Sequence, residues 1–252
     1  MEKIHALLRL YREGKLGGER MPEDENPGLP IGSKENYLYF TLPMALNYQR
    51  NSYTLWRSAH LTWKDPETRD VFDPAAVTRM TDEVLREKLT RYKVALQPNK
   101  QPEIWRRLCK TIVEKLDGDL RNLFLQNSCS IKAIKEDIAA HKKDYPYLGG
   151  KKILNYWLFV MERYTDLSYP DRDAITIAPD THVIQASVRL GIITAKEATQ
   201  HNVQDLTVNR WKEKLEGSGL LPIDLHTPLW LWSRGKFSVD LTTEGKDEED
   251  AL

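Results

Sequence analysis

The amino-acid sequence predicts an all-α fold. Apolar residues recur at helical spacing in nearly every periodic segment of the 252-residue chain. Helix starts are marked by prolines in first turns or by capping side chains, and no segment of any length alternates apolar and polar residues as a strand does. The hydrophobic content of 40% is enough for one large domain or two small lobes.

The N-terminal part of the chain is predicted to hold two helices and a loop. The first helix covers about residues 2–15 and ends at Gly17-Gly18, which suit a C-terminal cap. A loop rich in proline and glycine follows over 19–34. The second helix, about 35–50, is so apolar that it belongs in a core, and Pro43 inside it should kink the helix or move its start.

Later helix boundaries follow from capping residues, prolines and glycines. Asp73-Pro74, Gln101-Pro102 and Ser130 mark starts, and Gly118 ends the second of these helices. The remaining helices are predicted after Lys151, Asp180, Thr194 and Thr207, and over about 223–234.

Charge and cysteine content restrict the possible functions. The formal net charge is +0, which argues weakly against nucleic-acid binding, but the tail over 242–252 carries five acidic residues and one lysine, so the rest of the chain has 36 basic and 32 acidic residues. This tail is predicted to be disordered, and the mildly basic remainder fits local phosphate contacts. Cys109 and Cys129 form no C-x-x-C pair, so a disulfide framework, a four-cysteine zinc site and an iron–sulfur cluster are not expected.

The sequence gives no indication of a membrane protein. It contains no run of about 18 apolar residues, and its N-terminus is polar and charged. We therefore expect neither a membrane span nor a signal peptide, and an intracellular protein without a metal or another cofactor.

A short connection rich in glycine joins two predicted helices, one over 131–141 and one starting near Lys151, which predicts an αα-hairpin. Gly149 and Gly150 would let backbone amides approach an anion at the start of the second helix. Four lysines add positive charge: Lys142, Lys143, Lys151 and Lys152. A tight turn with a solvated basic surface accounts for these residues equally well.

A lysine and an aspartate suggest a specific chemistry. A partly deprotonated lysine amine can attack the anomeric carbon of a deoxynucleotide, displace the base and form an imine to the sugar. Asp180 opens the helix after Pro179, where its carboxylate can stabilise a developing cation or act only as an N-cap. His182, in the first turn, can bind phosphate or be an ordinary surface residue.

These segments resemble the helix-hairpin-helix DNA glycosylases. Residues 146–151 (PYLGGK) are similar to the hairpin pattern P-G-V-G-x-K of that superfamily. Residues 178–183 (APDTHV), with 189–192 (RLGI), are similar to its V-D-T-H-V and R-L-G-L segments. Residues 45–50 (ALNYQR) look like the family's L-x-x-Q element, which fills the gap left by a flipped base.

The C-terminal part looks most like the archaeal 8-oxoguanine DNA glycosylase/lyase branch. Residues 152–156 (KILNY) and 222–230 (PIDLHTPLW) have counterparts there, and the resemblance covers about residues 140–236. It implies a two-lobed helical glycosylase domain over 1–241, with the active-site cleft between the lobes, the hairpin near 142–152 and no iron–sulfur cluster.

The same resemblance implies an activity. The expected protein is a monomeric base-excision repair enzyme that flips an oxidised purine, 8-oxoguanine above all, out of damaged double-stranded DNA. It would remove the base and cleave the backbone as an AP lyase. A monofunctional glycosylase in which Asp180 activates water, and a non-catalytic helix-hairpin-helix module, remain alternatives.

Site residues carry over by position. Lys151 would be the Schiff-base nucleophile, with Lys152 as the alternative, and Asp180 the catalytic carboxylate. The expected DNA contacts are Gly149, Gly150, His182, Gln49 and Lys152, and the expected base pocket contains His226 and Trp230. Two positions depart from the family: Tyr147 replaces the first hairpin glycine, and His226 stands where the archaeal enzymes carry an aspartate.

Overall fold

The structure is a computed structural model that describes residues 1–16 and 21–241, except for the side chain of Lys151. All regular structure in these ranges is helical and none of it is strand, which confirms the all-α prediction for the described residues. The predicted end of the first helix at Gly17-Gly18 and the acidic tail over 242–252 lie outside the described residues. No helix in the described ranges is both long and apolar enough to cross a membrane.

The α-helices of the described residues are α1 (Glu2–Arg12), α2 (Lys34–Thr41), α3 (Ser52–Lys64), α4 (Pro74–Arg79), α5 (Asp82–Arg91), α6 (Gln101–Lys115), α7 (Arg121–Gln126), α8 (Ile131–Ala140), α9 (Lys151–Tyr164), α10 (Thr181–Arg189), α11 (Val203–Leu215) and α12 (His226–Arg234). Short 3-10 helices lie between them, at Pro22–Asp24, Pro43–Leu46, Arg69–Phe72, Arg172–Ala174, Glu197–Thr199 and Pro222–Leu225.

The chain divides into two compact units. Among the described residues, the first is formed by 1–16 together with 175–241, and the second by 21–174. The helices of the first unit are therefore α1, α10, α11 and α12, and those of the second are α2 to α9.

An aromatic core holds the second unit together. The buried rings of Tyr39 and Phe72 stack at 5.6 Å between centroids, and Trp56 lies 5.8 Å from Tyr39. The buried indoles of Trp105 and Trp157 also satisfy their N–H groups, which donate to Val71 O at 2.7 Å and Thr41 Oγ1 at 2.9 Å. A tryptophan buried in a core usually has a hydrogen-bond acceptor for its indole N–H.

The first unit packs α1 and α10 against α12. Helix α1 buries its apolar face, with Leu7 and Leu10 almost fully enclosed, which agrees with the period of its sequence. Trp211 on α11 is fully buried, and its indole N–H donates to Ser187 Oγ on α10 at 2.8 Å.

Most predicted helix starts are confirmed. The side chains of Asp73, Ser130 and Asp180 each accept a hydrogen bond from a backbone N–H in the first turn that follows. Pro102 lies at the start of α6, and Gly118 ends the helix in a left-handed conformation, with φ +72° and its N–H bonded to Ile112 O.

Several boundaries were predicted wrongly. The single helix expected over 35–50 stops at Thr41, because Pro43 cannot continue it and instead starts a 3-10 turn. Helix α1 ends at Arg12. Thr194 and Glu197 form the expected capping box, but only a 3-10 turn follows, and α11 begins at Val203, ahead of Thr207. The helices α3, α5 and α7 were not predicted.

Candidate functional site

The connection predicted as a hairpin lies between α8 and α9. The segment that follows α9 fixes the N-terminus of α8. Asp171 accepts hydrogen bonds from Ser130 Oγ at 2.9 Å, from Ile131 N at 2.7 Å and from Lys132 N at 3.0 Å. Burial alone would raise the pKa of this carboxyl, but these hydrogen bonds outweigh burial and lower it. Asp171 therefore caps the N-terminus of α8 from a distant part of the chain.

The two hairpin glycines lie in close packing. A Cβ on Gly149 would lie 3.1 Å from Ile138 Cγ2, and a Cβ on Gly150 would lie 3.1 Å from Tyr147 O. The amide of Gly149 donates to Tyr145 O and that of Gly150 to Tyr147 O. Both amides are thus used inside the turn, so the donors that this helix end offers to an anion come from the first turn of α9.

The hairpin is also attached to α6. Thr111 Oγ1 donates to the carbonyl oxygen of Asp144 at 2.8 Å, and Lys115 Nζ forms an ion pair with the Asp144 carboxylate. These contacts attach the residue before Tyr145 to the C-terminal half of α6.

The two candidate nucleophiles lie at the start of α9. Lys151 is the first residue of the helix, and Gly150, its N-cap, has an extended backbone. The side chain of Lys151 lies outside the described residues, whereas Lys152 is exposed. The catalytic role of Lys151, and of Lys152 as the alternative, stays a prediction.

Gln49 lies at the tip of the loop between the 3-10 turn at 43–46 and α3. It is exposed, and its backbone has φ +50°, a left-handed conformation that costs a non-glycine residue free energy. The next residue, Arg50, donates to Val94 O at 2.6 Å and to Lys93 O at 3.1 Å. The tip is therefore held in an unusual conformation by contacts on its C-terminal side.

The preceding residue connects this loop to the hairpin. The rings of Tyr48 and Tyr147 stack at 4.2 Å between centroids and 15° between planes. Lys100 Nζ lies 4.8 Å from the centroid of Tyr147 and 5.9 Å from that of Tyr48, a cation–π arrangement. The second unit thus brings together Gln49 and the hairpin, two elements about 100 residues apart in the sequence.

In the first unit, Asp180 caps α10 with one carboxylate oxygen and meets a tryptophan with the other. Val183 N donates to Asp180 Oδ1 at 2.9 Å, and Trp230 Nε1 donates to Asp180 Oδ2 at 3.0 Å. The carboxylate is therefore fixed in orientation by two donors from different helices.

His182 and Trp230 belong to the same cluster. The ring of His182 meets that of Trp230 edge to face at 5.4 Å, and the Arg234 guanidinium lies 5.4 Å from the Trp230 centroid. Ser233 Oγ donates to Gln185 Oε1, so it accepts a hydrogen from His182 Nδ1 at 3.2 Å. Three of the predicted site residues, Asp180, His182 and Trp230, are thereby brought together.

His226 is the first residue of α12 and is 3% exposed. Its assignment to a base pocket, like that of Trp230, stays a prediction. Trp230 is also buried, and its N–H group is directed to Asp180. Trp232, two residues later, points to a different partner and donates to Val239 O at 2.8 Å.

Sequence reasoning missed one buried carboxyl group. Glu23 lies in the 3-10 turn at 22–24, which packs on α3, and is only 1% exposed. Neither of its carboxyl oxygens has a hydrogen-bond donor among the described residues. Burial raises the pKa of Glu23 to about 7, and weak interactions with its own backbone N–H, with Tyr156 and with Trp56, which do not reach standard hydrogen-bond geometry, oppose this rise only in part.

Two further buried polar atoms, on α2 and α3, also make no hydrogen bond of standard geometry. The indole N–H of Trp56 and the hydroxyl of Tyr39 have no hydrogen-bond partner in the part of the chain that is described. Buried groups of this kind are rare in folded proteins and call for an explanation, such as a ligand. Glu23 stands in a stretch that reads as a polar loop, and no periodicity marked it as buried.

Neither a metal site nor a comparison with known proteins assigns a function. Among the described residues, no group of three or more His, Cys, Asp or Glu side chains could hold a metal ion. The functional interpretation therefore depends on the hairpin, the Gln49 loop and the Asp180 cluster. No protein-family model matches the chain, and no curated protein matches it.

Proposed function

We propose that the protein is a base-excision DNA glycosylase with AP lyase activity that removes an oxidised purine, with 8-oxoguanine favoured, from double-stranded DNA. The observation that best supports this proposal is the stacking of Tyr48 on Tyr147. It joins the loop carrying Gln49 to the glycine-rich hairpin, and an enzyme that flips a nucleotide needs a backbone anchor and an inserting side chain next to each other.

The anchor is the start of α9. Unpaired N–H groups of a first turn, with the helix dipole, attract a phosphate, and the exposed side chain of Lys152 adds a cation. His182 is proposed as a further phosphate contact. Contacts of this kind position the duplex without reading its sequence.

The inserting residue is Gln49. It is exposed at a loop tip whose flanking residues are both fixed, Tyr48 on the hairpin and Arg50 on the backbone of residues 93–94. A side chain held in this way can fill the gap left by an extruded base at little entropic cost.

Recognition of the base is proposed to involve His226 and Trp230, as the family resemblance implies.

The chemistry is assigned to Lys151 and Asp180. The Lys151 amine attacks C1′ while the bond from C1′ to the base breaks, and the base leaves with a proton. Asp180 stabilises the positive charge that develops on the sugar. Opening of the sugar ring gives an imine between Nζ and C1′, and loss of a proton from C2′ then expels the 3′ phosphate.

Borohydride trapping on duplexes that each contain a single lesion tests the proposal. The expected result is a covalent adduct with an 8-oxoguanine duplex that is lost in Lys151→Ala and kept in Lys152→Ala. The opposite pattern would make Lys152 the nucleophile. Base release without an adduct would support a monofunctional enzyme, and tight binding without base release would support a non-catalytic module.

A further inference from the structure

Tyr147 occupies a backbone position that favours glycine. Its φ is +61°, in the left-handed region, where a Cβ crowds the following carbonyl. The two true glycines of the same turn, Gly149 and Gly150, have no positive φ. The turn thus carries a large aromatic side chain at the point where glycine would be least strained, so the ring needs a compensating role.

The ring is used to contact the Gln49 loop. It stacks on Tyr48 at 4.2 Å, and Lys100 Nζ lies over the Tyr147 ring at 4.8 Å. The Tyr48 hydroxyl reaches Gln97 Oε1 at 3.4 Å, so the same two rings also meet the loop that precedes α6. Both tyrosines are partly exposed, which separates this pair from the buried aromatic core.

A second set of bonds fixes the other side of the loop tip. Arg50 is held by the carbonyl oxygens of Lys93 and Val94, and burial lowers the pKa of its guanidinium to about 10. Gln49 is therefore enclosed between two fixed neighbours while its own side chain is exposed. The loop tip cannot move away from the hairpin without breaking the ring stack.

We infer that Tyr48 and Tyr147 are positioning residues that couple phosphate binding by the hairpin to insertion of Gln49 into the duplex. The inference rests on the proposed function and deepens it. Phosphate binding at the start of α9 fixes the position of the hairpin and of Tyr147 relative to the duplex. Because Tyr147 stacks on Tyr48, the adjacent Gln49 is directed into the base stack in the same step.

Fluorescence of 2-aminopurine tests this coupling. The probe is a duplex with 2-aminopurine next to a tetrahydrofuran abasic analogue, where insertion of Gln49 and unstacking raise the emission. We expect Tyr147→Gly and Tyr48→Ala each to lower the fraction of bound duplex that is unstacked about 10-fold, a loss typical of one well-placed contact. The double variant should lose no more than either single variant.

Tyr147→Phe is the matched control. It keeps the ring stack and removes only the hydroxyl, so it should retain the emission change of the wild type. If Tyr147 had only a structural role, Tyr147→Phe and Tyr147→Gly would differ in their thermal unfolding temperature. The 2-aminopurine emission of the bound duplex at saturating protein would then be the same in both variants. If Tyr147→Gly does not fold, Tyr48→Ala with Tyr48→Phe as its control gives the same comparison.

The outcomes separate the inference from the proposed function. Wild-type emission that stays unchanged on binding, or an absence of binding, would reject the proposed function. Wild-type unstacking that Tyr147→Gly and Tyr48→Ala leave unaltered would reject the coupling alone. Losses that multiply in the double variant would also reject it, because they would mean that each tyrosine contacts the DNA independently.

Discussion

Trp230 donates its indole N–H to Asp180 Oδ2 at 3.0 Å, and this contact joins the start of α10 to α12. The second oxygen of the carboxylate caps α10. A carboxylate oriented by two donors presents its remaining lone pairs in a fixed direction, as a charge-stabilising catalytic group requires.

Replacing Asp180 should separate its capping role from the catalytic role that we propose for it. Asparagine caps helices as well as aspartate does, so Asp180→Asn should keep the free energy of unfolding while base excision falls about 100-fold or more. Asp180→Ala should lose about 1 kcal/mol of stability as well. Urea denaturation and single-turnover excision measure the two effects, and full activity in Asp180→Asn would remove this residue from the mechanism.

Trp230→Phe should disturb the carboxylate without removing it. The variant keeps an aromatic ring beside His182 but loses the N–H donor, and one lost hydrogen bond corresponds to roughly 10-fold slower excision. Trp232→Phe is the matched control, because the Trp232 indole donates to Val239 O and not to Asp180. Equal rates in the two variants would contradict an orienting role for Trp230.

Glu23 should make stability depend on pH. The folded protein holds the Glu23 proton with a pKa of about 7, against 4.5 as the ordinary value, so this group stabilises the fold most below pH 4.5. That contribution declines as the pH rises to about 7, by up to about 3 kcal/mol. The stability of Glu23→Gln relative to the wild type should therefore increase as the pH rises from 5 to 8.

Urea denaturation at both pH values measures this difference. Glu25→Gln, at an exposed position two residues away, is the matched control and should follow the wild type. A Glu23→Gln variant whose stability relative to the wild type is the same at pH 5 and pH 8 would show that the carboxyl group ionises normally.

Asp171→Ala should weaken the hairpin. It removes three hydrogen bonds to the start of α8, and we expect a loss of about 2 kcal/mol in the free energy of unfolding, because the remaining N–H groups can still be hydrated. Asp173→Ala, at an exposed position in the same segment, should change stability little. Similar losses in both variants would argue against a specific cap.

Gln49→Ala should impair excision more than binding. Phosphate contacts supply most of the affinity for duplex DNA, so binding should change only a few-fold, while excision should fall roughly 10-fold as the flipped state loses its filler. Gln126→Ala, at an exposed glutamine at the end of α7, serves as the control. Unchanged excision in Gln49→Ala would mean that another residue fills the gap.

The helices that the sequence predicts well have strong local signals. Asp73, Ser130 and Asp180 cap the helices that follow them, because a side-chain acceptor at the N-cap depends only on neighbouring residues. The amphipathic period of α1 identifies its buried face in the same way. The error over 35–50 came from giving apolar content more weight than Pro43.

The candidate site was predictable only in parts. The motif around Gly149, Gly150 and Asp180 could be located by spacing, but the internal use of both glycine amides depends on the turn geometry. The contact of Tyr48 with Tyr147 and the burial of Glu23 depend on how distant segments pack, which no local pattern encodes.

The discontinuous first unit has a consequence for synthesis. Its helix α1 is translated before residues 21–174, whereas its partner α12 is translated after them. On the ribosome, the continuous second unit can fold as soon as it emerges, while the apolar face of α1, with Leu7 and Leu10, must wait for its partner. The apolar face of α1 therefore stays without its α12 contacts until synthesis has passed residue 226.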